Sequence, residues 1–240
     1  MYLIKNSYFY MKFYEENKID LDYEIIYTKF ISIFSRNKNL LSNTSDIGQE
    51  VFKQLTLSID PRFAYAIYPV KQICDDKLFI DDNLSFQSDL LTQIMVSSKK
   101  IAIIICTLGN HFEEKLSKYK NEDSLMCVYL FDHLGSLAVS ILKKEAVDYI
   151  RKKLFINGQK ISIPLSPGHE CWPLEQQRIL FQLLPENPLD IRLNESCLML
   201  PLKSLSCVLG IGPEVVSEGT SCDHCSKKEY CKWNQGSEKS

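Results

Sequence analysis

The stretch KKIAIIICTLG, residues 99–109, decides the fold. Its centre is an unbroken run of mostly branched apolar residues, too short for a buried helix and closed by Thr-Leu-Gly. A run of that kind predicts a strand covered on both faces, because alternate side chains point to opposite sides and here both sets are apolar. Working outward, NHFEEKLSKY (110–119) reads as a helix that follows at once. A long helix then begins near Asp123. Its apolar positions Leu125, Tyr129, Leu134, Leu137, Ile141, Ala146 and Ile150 lead to the basic finish RKKL, which suits a helix C-terminus. Gly135 in the middle of this helix predicts that another part of the chain, or a ligand, approaches closely there.

On the N-terminal side, QSDLLTQIMVSS (87–98) is read as helical, and FAYAIYPV (63–70) and KLFID (77–81) as short strands flanking a loop with Cys74 and Asp75-Asp76. SNTSDIGQEVFKQL (42–55) reads as a helix capped by Ser45 and Asp46, with Ile47, Val51, Phe52 and Leu55 on one face. EIIYTKFISIF (24–34) has helical spacing as well. On the C-terminal side, NGQKISIPL (157–165) is a turn and strand, PLEQQRILFQLL (173–184) a helix, and SCLMLPLKSLSCVLGIG (196–212) two strands joined at Pro201 to Ser204. Strands and helices are mixed without a βαβ rhythm, so the expected class is α+β. The expected organisation is an N-terminal helical segment over 1–43, a main domain over 44–215 and a cysteine-rich tail over 216–240.

The chain of 240 residues is 45% hydrophobic, with 28 Lys+Arg against 30 Asp+Glu and a formal net charge of -2. The basic residues are scattered among acids, which argues against nucleic acid as a partner. MYLIKNSYFYMKFYEENK (1–18) lacks the unbroken apolar core of a secretion signal, and no stretch reads as an 18-residue apolar span. The expectation is a cytoplasmic protein with no membrane partner, whose nine cysteines are buried thiols or metal ligands in preference to disulfides.

Three places could carry chemistry. In the tail, Cys222 and Cys225 are spaced so that one turn presents two thiolates, and Cys231 follows five residues later. Zinc or an iron-sulfur cluster fits such a set, with His224, Cys207, Cys197 or Cys171 as candidates for the fourth ligand; three exposed thiols is the alternative. In SPGHECWPLEQQ (166–177), Pro167-Gly168 forms a turn, Gly168 lets a ligand approach the backbone, His169 could donate to a carboxylate, and Cys171 and Trp172 could line an apolar wall. Pro173 suits a helix start, so the stretch could also be a helix entry alone. In LNESCLMLP (193–201), Glu195 could accept from an ammonium or cap a turn. No nucleophile, metalloprotease, phosphate-binding or dinucleotide motif is present.

SPGHECWPLEQQRILFQLL and LNESCLMLPLKSLSCVLGIG, with RFAYAIYPV and IAIIICTLGNHFEEKL more weakly, resemble the reactivation domain of cobalamin-dependent methionine synthase in a stand-alone form, over roughly 45–212. The resemblance implies a C-shaped α+β domain with a twisted antiparallel sheet. It also implies S-adenosylmethionine binding framed by Pro167, Gly168, His169, Glu195 and Ser196. The cobalamin would be carried by a partner, the methionine synthase or another corrinoid protein. An electron donor such as flavodoxin or ferredoxin would reduce the cobalt of cob(II)alamin, and methyl transfer would follow. Cys222, Cys225 and Cys231 could then hold a cluster that carries electrons. The chain departs from the family pattern at Pro164, where an Arg is usual, at His169, where a Tyr is usual, and on the long helix, where it offers Ser136 and Ser140 in place of the acid that often faces the ligand. An alternative reading is a non-catalytic module that docks on a corrinoid protein, with a structural zinc or iron-sulfur tail.

Overall fold

A computed structural model describes residues 13–35, 41–155, 159–169, 172–185, 188–224 and 229. Its first elements are β1 (Phe13–Lys18), α1 (Tyr23–Ser35), α2 (Leu41–Ser58), β2 (Arg62–Pro69), β3 (Gln72–Cys74), β4 (Lys77–Phe79), β5 (Ser85–Gln87), α3 (Asp89–Ile94) and β6 (Lys100–Thr107). They continue with α4 (His111–Asn121), α5 (Leu125–Phe155), β7 (Lys160–Ile161), α6 (Gln177–Gln182), β8 (Arg192–Leu193), β9 (Met199–Leu200) and β10 (Ser204–Gly212). The main sheet has the order β1-β2-β6-β10-β7, and every neighbouring pair is antiparallel. It is the expected curled sheet flanked by helices, of class α+β.

β6 lies at the centre of this sheet, and its burial on both faces explains the run that opened the reading. Ala102, Ile104 and Cys106 face a layer made by α1, α2, α4 and α5, whereas Ile101, Ile103 and Ile105 face a second core. That second core is built from the small β3-β4-β5 sheet, α3, α6 and Trp172. The same alternation divides β2, where Phe63 and Tyr65 face the helices and Ala64, Ala66 and Tyr68 the other side. α5 has the length and apolar composition of a membrane span. Here it is the spine of the helical layer, burying Leu134, Ala138, Leu142, Ala146 and Ile150. Gly135 is the point of close approach that the sequence predicted, and protein fills it: a Cβ there would lie 2.3 Å from the Phe112 ring of α4.

The structure departs from expectation in three places. The N-terminal part is not purely helical, because FYEENK forms β1 and pairs with β2 from Phe13↔Ile67 to Lys18↔Arg62. An edge strand with a polar sequence carries little strand signal, and this one is fixed by Glu15, which accepts hydrogen bonds from Tyr65, Tyr149 and Lys153. Ile26 and Phe30 of α1 join the same core as α5. Ser45 and Asp46 do not cap α2: the helix starts at Leu41, so both lie inside it and the 43/44 boundary falls within one helix. Val51 and Leu55 are buried as expected, but Ile47 is exposed. The two strands of 196–212 form and are joined through Pro201 as expected, but they do not pair with each other. β9 pairs with β8, through Arg192↔Leu200 and Leu193↔Met199, and a cis Leu200-Pro201 bond turns the chain into β10, which pairs with β6.

Candidate functional site

Three segments distant in sequence meet at the start of β10. The first is the Pro-Gly turn. Ser166 Oγ donates to Ser206 O at 2.7 Å, His169 N–H to Ser166 O at 3.2 Å, Trp172 N–H to His169 O at 2.9 Å, and Gly168 N–H to Trp172 O at 2.8 Å. Gly168 has φ +91°, a conformation that a Cβ would strain. The turn is anchored downstream by Trp172, which is buried edge-on to Phe86 with ring centroids 5.4 Å apart. Its Nε1 donates to Gln176 Oε1 at 3.0 Å, and the Gln176 amide in turn holds the Gln87 backbone at both N–H and C=O. Pro173 precedes a single 3-10 turn, Leu174–Gln176, which leads into a six-residue α6.

The second segment is the turn between β8 and β9. Asn194 closes it, with Cys197 N–H donating to Asn194 O at 3.1 Å and Leu198 N–H to its Oδ1 at 2.9 Å. Cys197 is thereby held at φ 62°, an uncommon backbone for a residue with a Cβ. Arg178 of α6 donates to Glu195 O at 2.6 Å and ties this turn to the first segment. The third is β10 itself. Ser206 and Gln177 exchange hydrogen bonds at 2.9 and 3.0 Å in the interior, while Ser204 Oγ donates to Pro201 O at 2.7 Å and lies 2.9 Å from Thr107 Oγ1.

Between them lies a pocket of about 160 Å³. Pro167, Leu174, Leu198, Met199, Leu202 and Leu205 form its apolar walls, Ser166, Gln177, Ser204 and Ser206 its polar groups, and no charged side chain lines it. The sequence-predicted residues are distributed as follows. Pro167 lines the pocket, exposed Gly168 turns the chain beside it, and half-buried His169 follows outside the lining. Glu195 and Ser196 are exposed on the turn whose next residues, Cys197 to Met199, form the opposite wall. Pro164 lies between Ile163 and Leu165, which donate to Val216 O and Val208 O on the strip beside β10.

A neighbouring polar cleft of about 450 Å³ is bounded by Asn110, Glu113, Asp190, Arg192, Leu200 and Pro201. Sequence reasoning gave no hint of it, because its residues come from the start of α4, the segment before β8, β8 itself and the end of β9. The Glu113 carboxylate accepts the Leu202 N–H, so α4 holds the turn that separates β9 from β10. Lys203, in that turn, pairs with Asp132 at 2.7 Å and donates to Ser136 Oγ at 2.9 Å. One turn before Ser136, α5 thus carries an acid, Asp132, that is engaged by Lys203.

In the tail, half-buried Cys222 and exposed His224 belong to a 3-10 turn, Ser221–His224, closed by Asp223 accepting from Thr220 N–H and hydroxyl. Cys225, Cys231 and Cys171 lie outside the described residues, among which no group of three or more metal-ligating side chains occurs. Two of the proposed fourth ligands are placed against that role. Cys207 is fully buried in β10, where burial pushes its thiol up to about 11, and Cys197 is buried too.

No family model and no curated protein matches the chain. Among solved structures it is similar to the MetH reactivation domain bound to AdoHcy, with a TM-score of 0.62 and 12% identity over 89% of this chain and 86% of that one. At that identity the likeness is one of fold: an antiparallel sheet flanked by helices on a common plan.

Proposed function

We propose that the protein is a stand-alone reactivation module for a corrinoid methyltransferase of the methionine synthase type, and that it binds an S-adenosyl ligand beside its partner's cobalamin. The observation that carries this reading is the convergence of Ser166-Pro167, Gln177 and Cys197–Met199 on one pocket at the start of β10. The fold likeness supports it, and so does the absence of a nucleophile motif, since such a role needs positioning in place of covalent chemistry.

The pocket fits part of such a ligand. Its volume lies below the roughly 300–1,000 Å³ of sites that enclose a drug-sized molecule, so it accommodates a heteroaromatic ring against Pro167, Leu174 and Met199, with Ser166, Gln177 and Ser204 as polar neighbours. When bound, S-adenosylmethionine supplies an electrophilic methyl group for the partner's reduced cobalt and leaves as S-adenosylhomocysteine, the electron coming from an external donor such as flavodoxin or ferredoxin. The chain's own residues orient and shield. Pro167 and Gly168 would bring backbone close to the ligand, and His169, Glu195 and Ser196, on the two turns outside the pocket lining, would meet the part of it that extends beyond the pocket. Cys222, Cys225 and Cys231 would hold zinc or an iron-sulfur cluster, the cluster being able to carry the electron.

One observation favours a second reading: no charged group lines the pocket, while Leu198 and Leu202 are exposed at its edge. A module that docks on a corrinoid protein without a ligand of its own would present such a surface. Calorimetric titration with S-adenosylmethionine separates the two. The first reading expects a dissociation constant well below about 1 mM, equivalent to some -4 kcal/mol, weakened by His169→Ala in a folded protein. Affinity weaker than that abandons ligand binding in favour of docking. Metal and acid-labile sulfide analysis of anaerobically purified protein tests the tail, and protein free of iron, sulfide and zinc removes the cluster from the proposal.

A further inference from the structure

We infer that the polar cleft next to the pocket is the receptor for a zwitterionic α-amino-acid end, so that an S-adenosyl ligand would place its nucleoside end under Pro167 and its amino-acid end against Arg192. The inference rests on the ligand class proposed above and assigns a second half to its site.

Three observations carry it. The first is size: the pocket's roughly 160 Å³ leaves the amino-acid end of the ligand outside, and the cleft lined by Leu200 and Pro201, between pocket residues Met199 and Leu202, offers about 450 Å³. The second is charge. A carboxylate and an ammonium leave water at a high cost unless each meets an opposite charge. The pocket lining holds none, whereas the cleft carries a guanidinium on Arg192 and carboxylates on Glu113 and Asp190. A guanidinium fork matches a carboxylate in two parallel hydrogen bonds, and the acids match an ammonium.

The third is the state of the cations around the cleft. Lys18 is paired with Asp60, Arg62 with Asp60 and Asp190, Lys203 with Asp132, and Arg178 donates to Glu195 O. Among the described residues, the side chain of Arg192 alone of this group has no hydrogen bond or ion pair. It is nevertheless held in place by its backbone, since β8 pairs Arg192 with Leu200. The two sites are also joined by one piece of chain: Met199 and Leu202 line the pocket, and Leu200 and Pro201 line the cleft. Because the Glu113 carboxylate accepts the Leu202 N–H, an acid of the cleft and the wall of the pocket are positioned by a single contact.

The test is calorimetry of the full chain with three probes: S-adenosylhomocysteine, 5′-methylthioadenosine, which keeps the nucleoside and thioether but lacks the amino-acid end, and L-methionine. The wild type should bind S-adenosylhomocysteine more tightly than methylthioadenosine. Arg192→Ala, at an exposed position, should weaken S-adenosylhomocysteine by about 10- to 100-fold, the loss of a charge-assisted contact, while leaving methylthioadenosine within about twofold. Arg192→Lys should restore part of the difference. If both nucleosides bind the wild type and Arg192→Ala changes neither, or weakens both alike, the cleft is not the receptor although the ligand class stands. If neither nucleoside binds but L-methionine does, and Arg192→Ala weakens it, the ligand class falls and the amino-acid receptor stands. Binding of none of the three overturns both.

Discussion

Replacing Gly135 by Ala should destabilise this protein, against the ordinary rule for helices. In an exposed helix interior the change would be worth about 1 kcal/mol in favour of Ala, which loses less backbone entropy on folding. Here the new Cβ would lie 2.3 Å and 2.4 Å from two atoms of the Phe112 ring and 3.1 Å from Lys203 Cε. Phe112 cannot easily give way. It is buried, and its ring is stacked on Phe131 with centroids 4.5 Å apart and planes 12° from parallel. Forcing a methyl group into a packed site costs about 1–3 kcal/mol, and set against the gain of about 1 kcal/mol in helix propensity the net expectation is a loss of up to about 2 kcal/mol and a fall in Tm of up to about 8 °C for a chain of this length. Urea unfolding followed by circular dichroism reads the midpoint and the slope. Gly48→Ala in α2 is the internal control, because its Cβ would meet only the Phe30 ring at an ordinary 3.6 Å, and it should be neutral or stabilising by up to about 1 kcal/mol. A Gly135→Ala protein stabilised by about 1 kcal/mol with an unchanged slope, as the helix rule alone expects, would refute the packing account of this glycine.

Other expectations test the supports of the site. Trp172→Ala should cost about 3–5 kcal/mol, because the indole fills the core beside Phe86 and anchors the Pro-Gly turn through Gln176; thermal unfolding measures it, and a shift below about 1 kcal/mol would contradict the placement. Gln177→Leu should cost about 1–3 kcal/mol by stranding the buried Ser206 hydroxyl, and the double variant with Ser206→Ala should recover part of that loss in the same assay. Cys106 and Cys207, whose thiols burial pushes up to about 12 and about 11, should stay inert to a thiol reagent at pH 8 until the protein is unfolded, while half-buried Cys74 reacts in the native state and half-buried Cys222 does so once any metal has been stripped with a chelator. Peptide mapping of the labelled protein identifies which residues have reacted.

The edge strand adds a prediction with pH. Burial raises the Glu15 pKa, but hydrogen bonds from Lys153, Tyr149 and Tyr65 together with the Lys153 charge outweigh it, leaving the pKa below the ordinary 4.5. A carboxylate whose folded pKa is depressed contributes stability that is complete above the unfolded value and is lost as pH falls through the folded one. The stability gap between wild type and Glu15→Gln should therefore be constant near neutrality and close as the pH drops below about 4. A gap that persisted unchanged at lower pH would mean that the ionised carboxylate does not hold β1 to the sheet.

Much of the architecture was legible because burial writes its period into the chain. The doubly apolar run of β6, the apolar positions of α5 from Leu134 to Ile150 and the basic close of that helix all report local geometry, whereas Leu125 and Tyr129, earlier in the same series, are exposed. Each needs only the knowledge that strand side chains alternate and helix side chains recur every three to four residues. Gly135 told of a close approach for the same reason, although only the structure showed the Phe112 ring there. β1 left no such trace, since an edge strand exposes half its residues and FYEENK is polar enough to pass for a loop.

The sequence by itself determined the layers, the central strand and the identity of the two turns around Pro167 and Glu195, because those depend on neighbouring residues. Only the tertiary structure decided that these turns face each other across the start of β10, that β9 pairs with β8 and not with β10, and that Arg192 shares a cleft with Glu113 and Asp190. A site assembled from segments scores of residues apart is fixed by how the sheet and helices pack, and packing between distant segments has no period that a linear reading can detect.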